Sequence, residues 1–455
     1  MINRTIAAIS TASGKGGVAI IRISGESALE IGLRVVRIKP STPEPRKCYY
    51  GEILRDGDII DDGILTYYKA PASFTGEDVV EICCHGGVYV TQAVLESVLS
   101  QGAVLAEAGE FTKRAYINGK LTLSRAEAIG NVIDAKTDSQ LLVSSSQARG
   151  ILSNKLEFIR KLMLDLIAQA YAAVDYPDED IEATTRDDME TTLDLVATEL
   201  KALKRSYRAG KAIFQGVKAA IIGKPNAGKS SIYNNIVGED KAIVTNIAGT
   251  TRDIIENTVS IGGVTINLAD TAGIRESSDP VERIGIERAK ERVAESEILF
   301  CVFDQSVPET DEDEEILELA KGKLTFAILN KIDTPPAISA DFVKRAKEVC
   351  SKFILANAKS GIGHEILDKY IKEMYEIGEL DLTNVAIISN ARQFASVNLA
   401  LDEVMEAKAA LDMGQTPDIV LFALEKALSS LDMIDAREAS EEIVNTIFSK
   451  FCVGK

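Results

Sequence analysis

A chain of 455 residues exceeds what one hydrophobic core organises, and 46% hydrophobic with 26% charged residues is the composition of sequences that fold. Its net charge of −18 works against broad contact with a phosphate backbone, and no apolar run approaches the roughly 18 residues that span a bilayer. Two histidines, His85 and His364, and six dispersed cysteines leave little scope for histidine general-base chemistry, a thiolate metal site or a disulfide framework. The start, MINRTIAAISTASGKGG, has no continuous apolar stretch, so no secretory leader is expected and the cytoplasm is the expected location. Charge is uneven: −1 over residues 1–120, −3 over 121–215, and −7 over each of 216–378 and 379–455. A nucleic-acid partner should therefore meet the near-neutral N-terminal part, or a second protein should carry much of the binding.

In chain order, residues 1–118 read as mixed α and β. GVAIIRIS at Gly17 to Ser24, Tyr49 to Leu54 and Ile59 to Tyr68 have strand character, a tight turn FTGED covers Phe74 to Asp78, and VVEICCHGG leads into a helix from about Val88 to Leu99. From 119 to 215 the apolar residues Leu152, Leu156, Ile159, Leu162, Met163, Leu166 and Ile167 recur at steps of three or four, the period of an amphipathic helix. YPDEDIE, Tyr176 to Glu182, should break that run. Strands and helices alternate over 216–378, and helical periodicity returns over 379–455, in Ile419 to Leu431 and Ile443 to Phe448. The expected fold is multidomain: an α+β domain, then a helical bundle interrupted by an inserted α/β domain.

The inserted stretch carries the chemistry. A strand VKAAII at Val217 to Ile222 runs into GKPNAGKS, which fits GxxxxGK[ST], with a helix after it. In that context the backbone N–H groups of Asn226, Ala227, Gly228, Lys229, Ser230 and Ser231 curl around phosphate oxygens. The Lys229 side chain reaches the outer phosphates, and the Ser230 hydroxyl is offered to magnesium. Leu324 to Leu329 is a second strand, ending in Asn330, Lys331, Ile332 and Asp333. The Asp333 carboxylate can accept two N–H bonds from guanine that adenine does not present, which favours GTP over ATP. Between these boxes lie Thr250 and Thr251 of GTTRD, a switch threonine or a polar turn, and Asp270, Thr271, Ala272 and Gly273 after the strand Val264 to Leu268. Asp270 can hold magnesium through water, and the Gly273 N–H can sense the terminal phosphate. The last guanine box, usually Ser-Ala-Lys, reads Asn357, Ala358 and Lys359. Ile274 stands where many GTPases have a water-orienting glutamine, so another group must act, and Glu282 is the candidate. Arg252 and Arg275 lie in the same loops, but neither is assignable as an arginine finger.

The boxes in this order resemble the translation-factor-like GTPases. The remaining stretches are more specific: GGVAIIRISG, SFTGEDVVEICCHGG, GEFTKRAYINGKLTLSRAEAI, TNIAGTTRD, DTAGIRESSDPVERIGIER and a terminal CVGK. Together they resemble the MnmE (TrmE) family of GTPases in bacterial tRNA wobble-uridine modification. The resemblance implies an N-terminal α+β tetrahydrofolate-binding and dimerisation domain over 1–118. It also implies a helical domain in two parts, 119–215 and 379–455, and a GTPase domain over 216–378. It implies a potassium-dependent GTPase, with Asn226, Thr245, Ile247 and Thr250 at the potassium positions and Ser230 and Thr251 at magnesium. Thr245, Asn246, Ile247, Ala248, Gly249, Thr250 and Thr251 form the loop that encloses the nucleotide, with Lys229, Thr251 and Glu282 in catalysis. Arg22, Glu81, Lys120 and Lys455 match positions that bind 5-formyltetrahydrofolate or a related tetrahydrofolate, although Arg22 and Glu81 could equally form a surface ion pair. A homodimer joined by an MnmG-type flavoprotein in a heterotetramer would add an aminomethyl or carboxymethylaminomethyl group at carbon five of the wobble uridine of tRNA. The rival readings are an Era- or Der-type ribosome-assembly switch, for which a second phosphate loop or a KH pattern is missing, and a stand-alone folate enzyme, for which no acid–base pair stands out.

Overall fold

The computed structural model describes residues 4–175, 185–239, 257–268, 293–358, 361, 363–435, 441–449 and 451–454. By its contacts the chain divides into two compact units: Met1–Gly130 with Leu428–Lys455, and Asn131–Ala427.

The first unit is built on a seven-stranded sheet in the order β3-β4-β5-β6-β2-β1-β7. The strands are β1 Ile6–Ile9, β2 Val18–Ser24, β3 Val36–Ile38, β4 Cys48–Arg55, β5 Asp58–Tyr68, β6 Val79–His85 and β7 Val104–Leu105. All neighbours are antiparallel except β1 and β7. Alternation in β2 and β6 sends Ile21, Ile23, Val80 and Ile82 into the core, where α1 (Ala28–Val35) and α2 (Val88–Ser100) add Ile31, Val35, Val94 and Val98. Each such side chain, fully withdrawn from water, contributes on the order of 2 kcal/mol.

The chain's last segment packs in this same unit. The helix Glu441–Phe448 meets α3 (Glu110–Ile117), with the Phe448 ring 6.2 Å from Tyr116 and 5.4 Å from Phe451. The approach is close enough to require Gly109, at φ +68, where a Cβ would come within 2.5 Å of the Phe448 carbonyl. Asp435 accepts from the Ser124 N–H and hydroxyl at the start of α4 (Leu123–Asp134). Val453 forms a β-bridge with Ala108, and the Ser10 hydroxyl donates to the Gly454 carbonyl at 3.0 Å.

The second unit joins long helices to a six-stranded sheet. The helices α5 (Asp138–Ala148), α6 (Ile151–Asp175) and α7 (Arg186–Phe214) precede the sheet, and Ala391–Asp412 follows it. A capping box starts α7: Thr185 and Asp188 satisfy each other's backbone N–H groups at 3.0 and 3.2 Å. Tyr207 of α7 stacks on Phe394 of the later helix, centroids 4.3 Å apart. Helices and sheet are pinned by Gln140, whose amide donates to the Ile213 carbonyl at 2.9 Å and to the Thr265 hydroxyl at 3.2 Å.

The sheet order is β13-β12-β11-β8-β10-β9, from β8 (Val217–Ile222), β9 (Asn257–Ile261), β10 (Val264–Leu268), β11 (Ile298–Asp304), β12 (Leu324–Asn330) and β13 (Lys352–Leu355). Only β9 is antiparallel to its neighbour. Strand β11, ILFCVFD, is buried at every position, as a strand covered on both faces must be. The strand order reverses between β8 and β11, so a crevice opens outside their carboxyl ends, where ligands bind in open α/β sheets. The fold is thus the multidomain one expected: an N-terminal α+β part, helices, and an α/β sheet of the P-loop type. The expected break at Tyr176 to Glu182 lies outside the described residues.

Candidate nucleotide site and the N-terminal ion pair

The phosphate loop occupies that crevice. Strand β8 ends at Ile222, and α8 (Lys229–Glu239) begins at the motif lysine. Gly223 is tight against β11, since a Cβ there would lie 2.5 Å from the Val302 carbonyl. Gly228, at φ +97, has no room for a Cβ because the Asn330 amide fills that space. Asn226 takes the left-handed conformation at φ +61, which asparagine tolerates better than most residues. The loop is therefore a cradle of backbone, with the N-terminus of α8 at its closed end. Lys229 Nζ donates to the carbonyls of Gly223 and Lys224 at 2.8 and 2.9 Å. Burial pushes its pKa down, and Glu312 opposes that shift. Ser230, in the first turn of α8, is exposed.

The guanine boxes are stitched to this loop from β12 and β13. Asn330, 2% exposed, donates to the Ala227 carbonyl at 3.0 Å and accepts from the Ala358 N–H at 3.1 Å. It therefore joins the phosphate loop, NKxD and the last box in one step. Asn235 of α8 closes the ring by donating to the Ala358 carbonyl. Lys331, itself at φ +64, spans the loop: its Nζ donates to the Asn226 carbonyl at 2.9 Å and pairs with Asp304 at 2.5 Å. Burial raises the Asp304 pKa, but hydrogen bonds from Lys331 and Ser306 outweigh it and hold the carboxyl below its ordinary value. Asp333 projects beyond these, exposed, two residues past Lys331. The structure thus gathers Asn226, Ala227, Gly228, Lys229, Asn330, Lys331 and Ala358. Thr245, Asn246, Ile247, Ala248, Gly249, Thr250, Thr251, Asp270, Thr271, Ala272, Gly273, Glu282, Lys359 and Lys455 lie outside the described residues.

Sequence reasoning passed over Asp304 and Asp313. The signal for the first was a carboxylate closing an apolar strand, ILFCVFD, and for the second a Thr-x-x-Asp capping box, TDED.

In the first unit Arg22 and Glu81 face each other across β2 and β6 and form an ion pair, Nη2 to Oε1 2.8 Å and Nε to Oε1 2.9 Å. Their side chains are 19% and 22% exposed, so the pair is half-sheltered and not a free surface contact. Phe74 and Phe111 lie 5.6 and 5.7 Å from the Arg22 guanidinium, and the Tyr68 hydroxyl approaches Glu81 at 3.5 Å. The FTGED turn that presents Phe74 is fixed by burial of its polar groups. Thr75 bonds Ser24 at 2.7 Å, and Glu77 accepts from Ser24 and from the buried Arg114 at 2.8 and 3.0 Å. Lys120 reaches the other rim, donating to the Pro71 carbonyl at 2.9 Å. The tail arrives beside this group: β1 pairs Ala8 with Arg22, and Gly454 lies against Ile9, the next residue of the strand.

The fold and the phosphate and guanine boxes define a P-loop GTPase. The profile described as "GTP-binding protein TrmE N-terminus" matches residues 5–120, and that of the "MnmE helical domain" matches residues 123–452. A tRNA modification GTPase MnmE of Clostridioides difficile (strain 630) is 40% identical over 458 residues, covering 100% of both chains. One of Listeria innocua is 39% identical over 456 residues, covering 99% of both. The G domain of the T. maritima FeoB iron transporter aligns over 35% of this chain and 98% of its own, at 25% identity and a TM-score of 0.24, too loose a superposition to add to this. The chain belongs to the MnmE (TrmE) family. Among the described residues no helix is long and apolar enough to cross a membrane.

Proposed function

We propose that this protein is a GTP hydrolase that drives modification of the tRNA wobble uridine. Acting with an MnmG-type flavoprotein, it adds an aminomethyl or carboxymethylaminomethyl group at carbon five. The observation that carries the reading is a phosphate loop locked to a guanine-reading NKxD box, in a chain that matches MnmE relatives from end to end. An Era- or Der-type switch would not account for the N-terminal α+β unit and its match to TrmE.

In this reading the loop amides and Lys229 bind the phosphates, and Asp333 selects guanine. The loop's backbone fits a phosphate, because Gly223 and Gly228 let it curl tightly against Val302 and Asn330, where a Cβ would clash. Ser230 and Thr251 supply hydroxyl oxygens suited to a hard cation, and magnesium there would offset phosphate charge. Asn226, Thr245, Ile247 and Thr250 would enclose potassium, which supplies the positive charge an arginine finger gives elsewhere. Asn226 is exposed in a left-handed turn, a conformation asparagine tolerates better than most residues. Glu282 orients the attacking water in place of the glutamine that Ile274 replaces.

Arg22, Glu81, Lys120 and Lys455 form the tetrahydrofolate site. A folate has a hydrogen-bonding pterin and a tail of carboxylates, and the donor set fits: a guanidinium close to two phenyl rings and paired with an acid, the Lys120 amine, and the tail alongside. Within the assembly, residues 1–118 serve dimerisation and 216–378 serve GTP hydrolysis; residues 119–215 and 379–455 supply the helical domain, apart from residues 119–130 and 428–455, which pack in the first unit.

Mass spectrometry of wobble nucleosides in tRNA from cells lacking this protein tests the function. Loss of the carbon-five modification is expected, and an unchanged nucleoside profile would refute it. Hydrolysis much faster in potassium than in sodium tests the ion assignment.

A further inference from the structure

Lys224 occupies a variable position of the phosphate-loop motif, where nothing in the chemistry of the loop calls for a lysine. Yet its side chain is only 10% exposed and its Nζ sits 2.6 Å from Oδ2 of Asp313, a carboxylate 1% exposed. Nζ also donates to the Pro308 carbonyl at 3.3 Å. The same Oδ2 accepts from the Thr310 N–H and hydroxyl at 3.0 and 3.1 Å, closing the capping box of the helix Asp311–Ala320. Asp313 is the third residue of that helix, where the box partner need not be charged, since glutamine serves there as well as glutamate, and taking two charges out of water costs free energy that a cap alone does not recover. The pair therefore answers to something else it holds.

What it holds is the backbone under Lys229. The Lys224 carbonyl accepts from Lys229 Nζ at 2.9 Å and from the Ala227 N–H at 3.3 Å. On the loop's other side Lys331 anchors the Asn226 carbonyl to Asp304. Both anchors are carboxylates of one segment, Asp304 to Asp313, so the loop is tied at both shoulders to the end of β11 and the chain just after it.

We infer that the Lys224–Asp313 pair is a positioning element for the nucleotide: it fixes the Gly223–Lys224 backbone so that Lys229 and the loop amides are set before phosphate binds. The inference rests on the GTPase reading. Lys224 acts through the loop, and a preset loop binds more tightly because less ordering remains to be done on binding.

The test uses the full chain, titrated with N-methylanthraniloyl-GDP, assayed for GTP hydrolysis and followed by thermal melting. Lys224→Met should weaken nucleotide binding about tenfold and lower the melting temperature, because it leaves Asp313 charged and unpaired. Lys224→Arg should restore both. Lys224→Met combined with Asp313→Asn separates the roles: with no lone buried charge the melting temperature should return, while the affinity loss should persist. If affinity returns with stability, or if Lys224→Met binds like the original protein, the pair is structural only and the inference fails. An original protein that neither binds nor hydrolyses GTP would refute the GTPase reading, and this inference with it.

Discussion

The nucleotide loop and the N-terminal ion pair are built in opposite ways. The loop is eight consecutive residues whose function lies in backbone N–H groups, with side chains from β11, β12 and the following helix locking it in shape. The Arg22–Glu81 group has no consecutive core: two strands, a turn, the start of α3, the residues just after it and the chain's tail each supply one side chain or surface. The first tolerates change at its rim and none in its glycines. The second depends on contacts between distant segments, so a change in any of them should be felt. Because the two sites share no residue, each can be damaged while the other reports.

The largest effect should come from Lys229→Ala, which should slow GTP hydrolysis by about a hundredfold or more while leaving affinity for 5-formyltetrahydrofolate unchanged by calorimetry. A change in folate affinity would break the separation of the two sites. Next, Asn330→Ala strands the Ala227 carbonyl and the Ala358 N–H in a buried place. It should cost about 2 kcal/mol of stability and be seen as a lowered denaturation midpoint together with weaker nucleotide binding. Stability lost without any effect on nucleotide would show that Asn330 braces the sheet and not the loop.

Asp333→Asn should weaken GTP binding by about tenfold to a hundredfold and improve that of xanthosine triphosphate, measured by competition. ATP binding the original protein as tightly as GTP would overturn the assignment.

At the other site, Arg22→Ala and removal of CVGK should each weaken 5-formyltetrahydrofolate binding, by about tenfold for the arginine, with GTP hydrolysis spared. Tail removal should also abolish wobble modification. Unchanged folate affinity in both variants would sink the pocket.

The smallest effect is one of pH. The Asp304 carboxyl is held below its ordinary value, so its contribution is complete above the unfolded pKa of about 4 and is lost as pH falls through the lower folded value. Stability against denaturant should therefore fall more steeply on acidification in the original protein than in Asp304→Asn, and parallel curves would count against the Asp304–Lys331 anchor.

Legibility followed the same division. Strands β8, β10 and β12 lie where the apolar runs placed them, and α8 starts at the motif lysine, because a parallel strand covered on both faces is largely apolar and a phosphate loop must end in a helix. Asn330 was legible as part of NKxD, but its burial and its bond to the phosphate loop were not. Its sequence neighbours carry no sign of Ala227, which approaches only through the parallel packing of β8, β11 and β12. Asp304 and Asp313 carried local signals, a carboxylate closing an apolar strand and a capping box, but their bonds to Lys331 and Lys224 were not legible for the same reason.

The sequence by itself determined the domain classes, the phosphate and guanine boxes and the family, since these rest on local patterns: apolar period, glycine at crowded backbone positions, and a fixed order of motifs. Whether Arg22 and Glu81 meet was open in the sequence, and the antiparallel register of β2 and β6 decided it. The placement of Gly454 beside Ile9, and of Lys224 against a carboxylate 89 residues away, was likewise decided only by folding. The physical reason is that such contacts are held by burial and register between segments far apart in the chain, which no local pattern encodes.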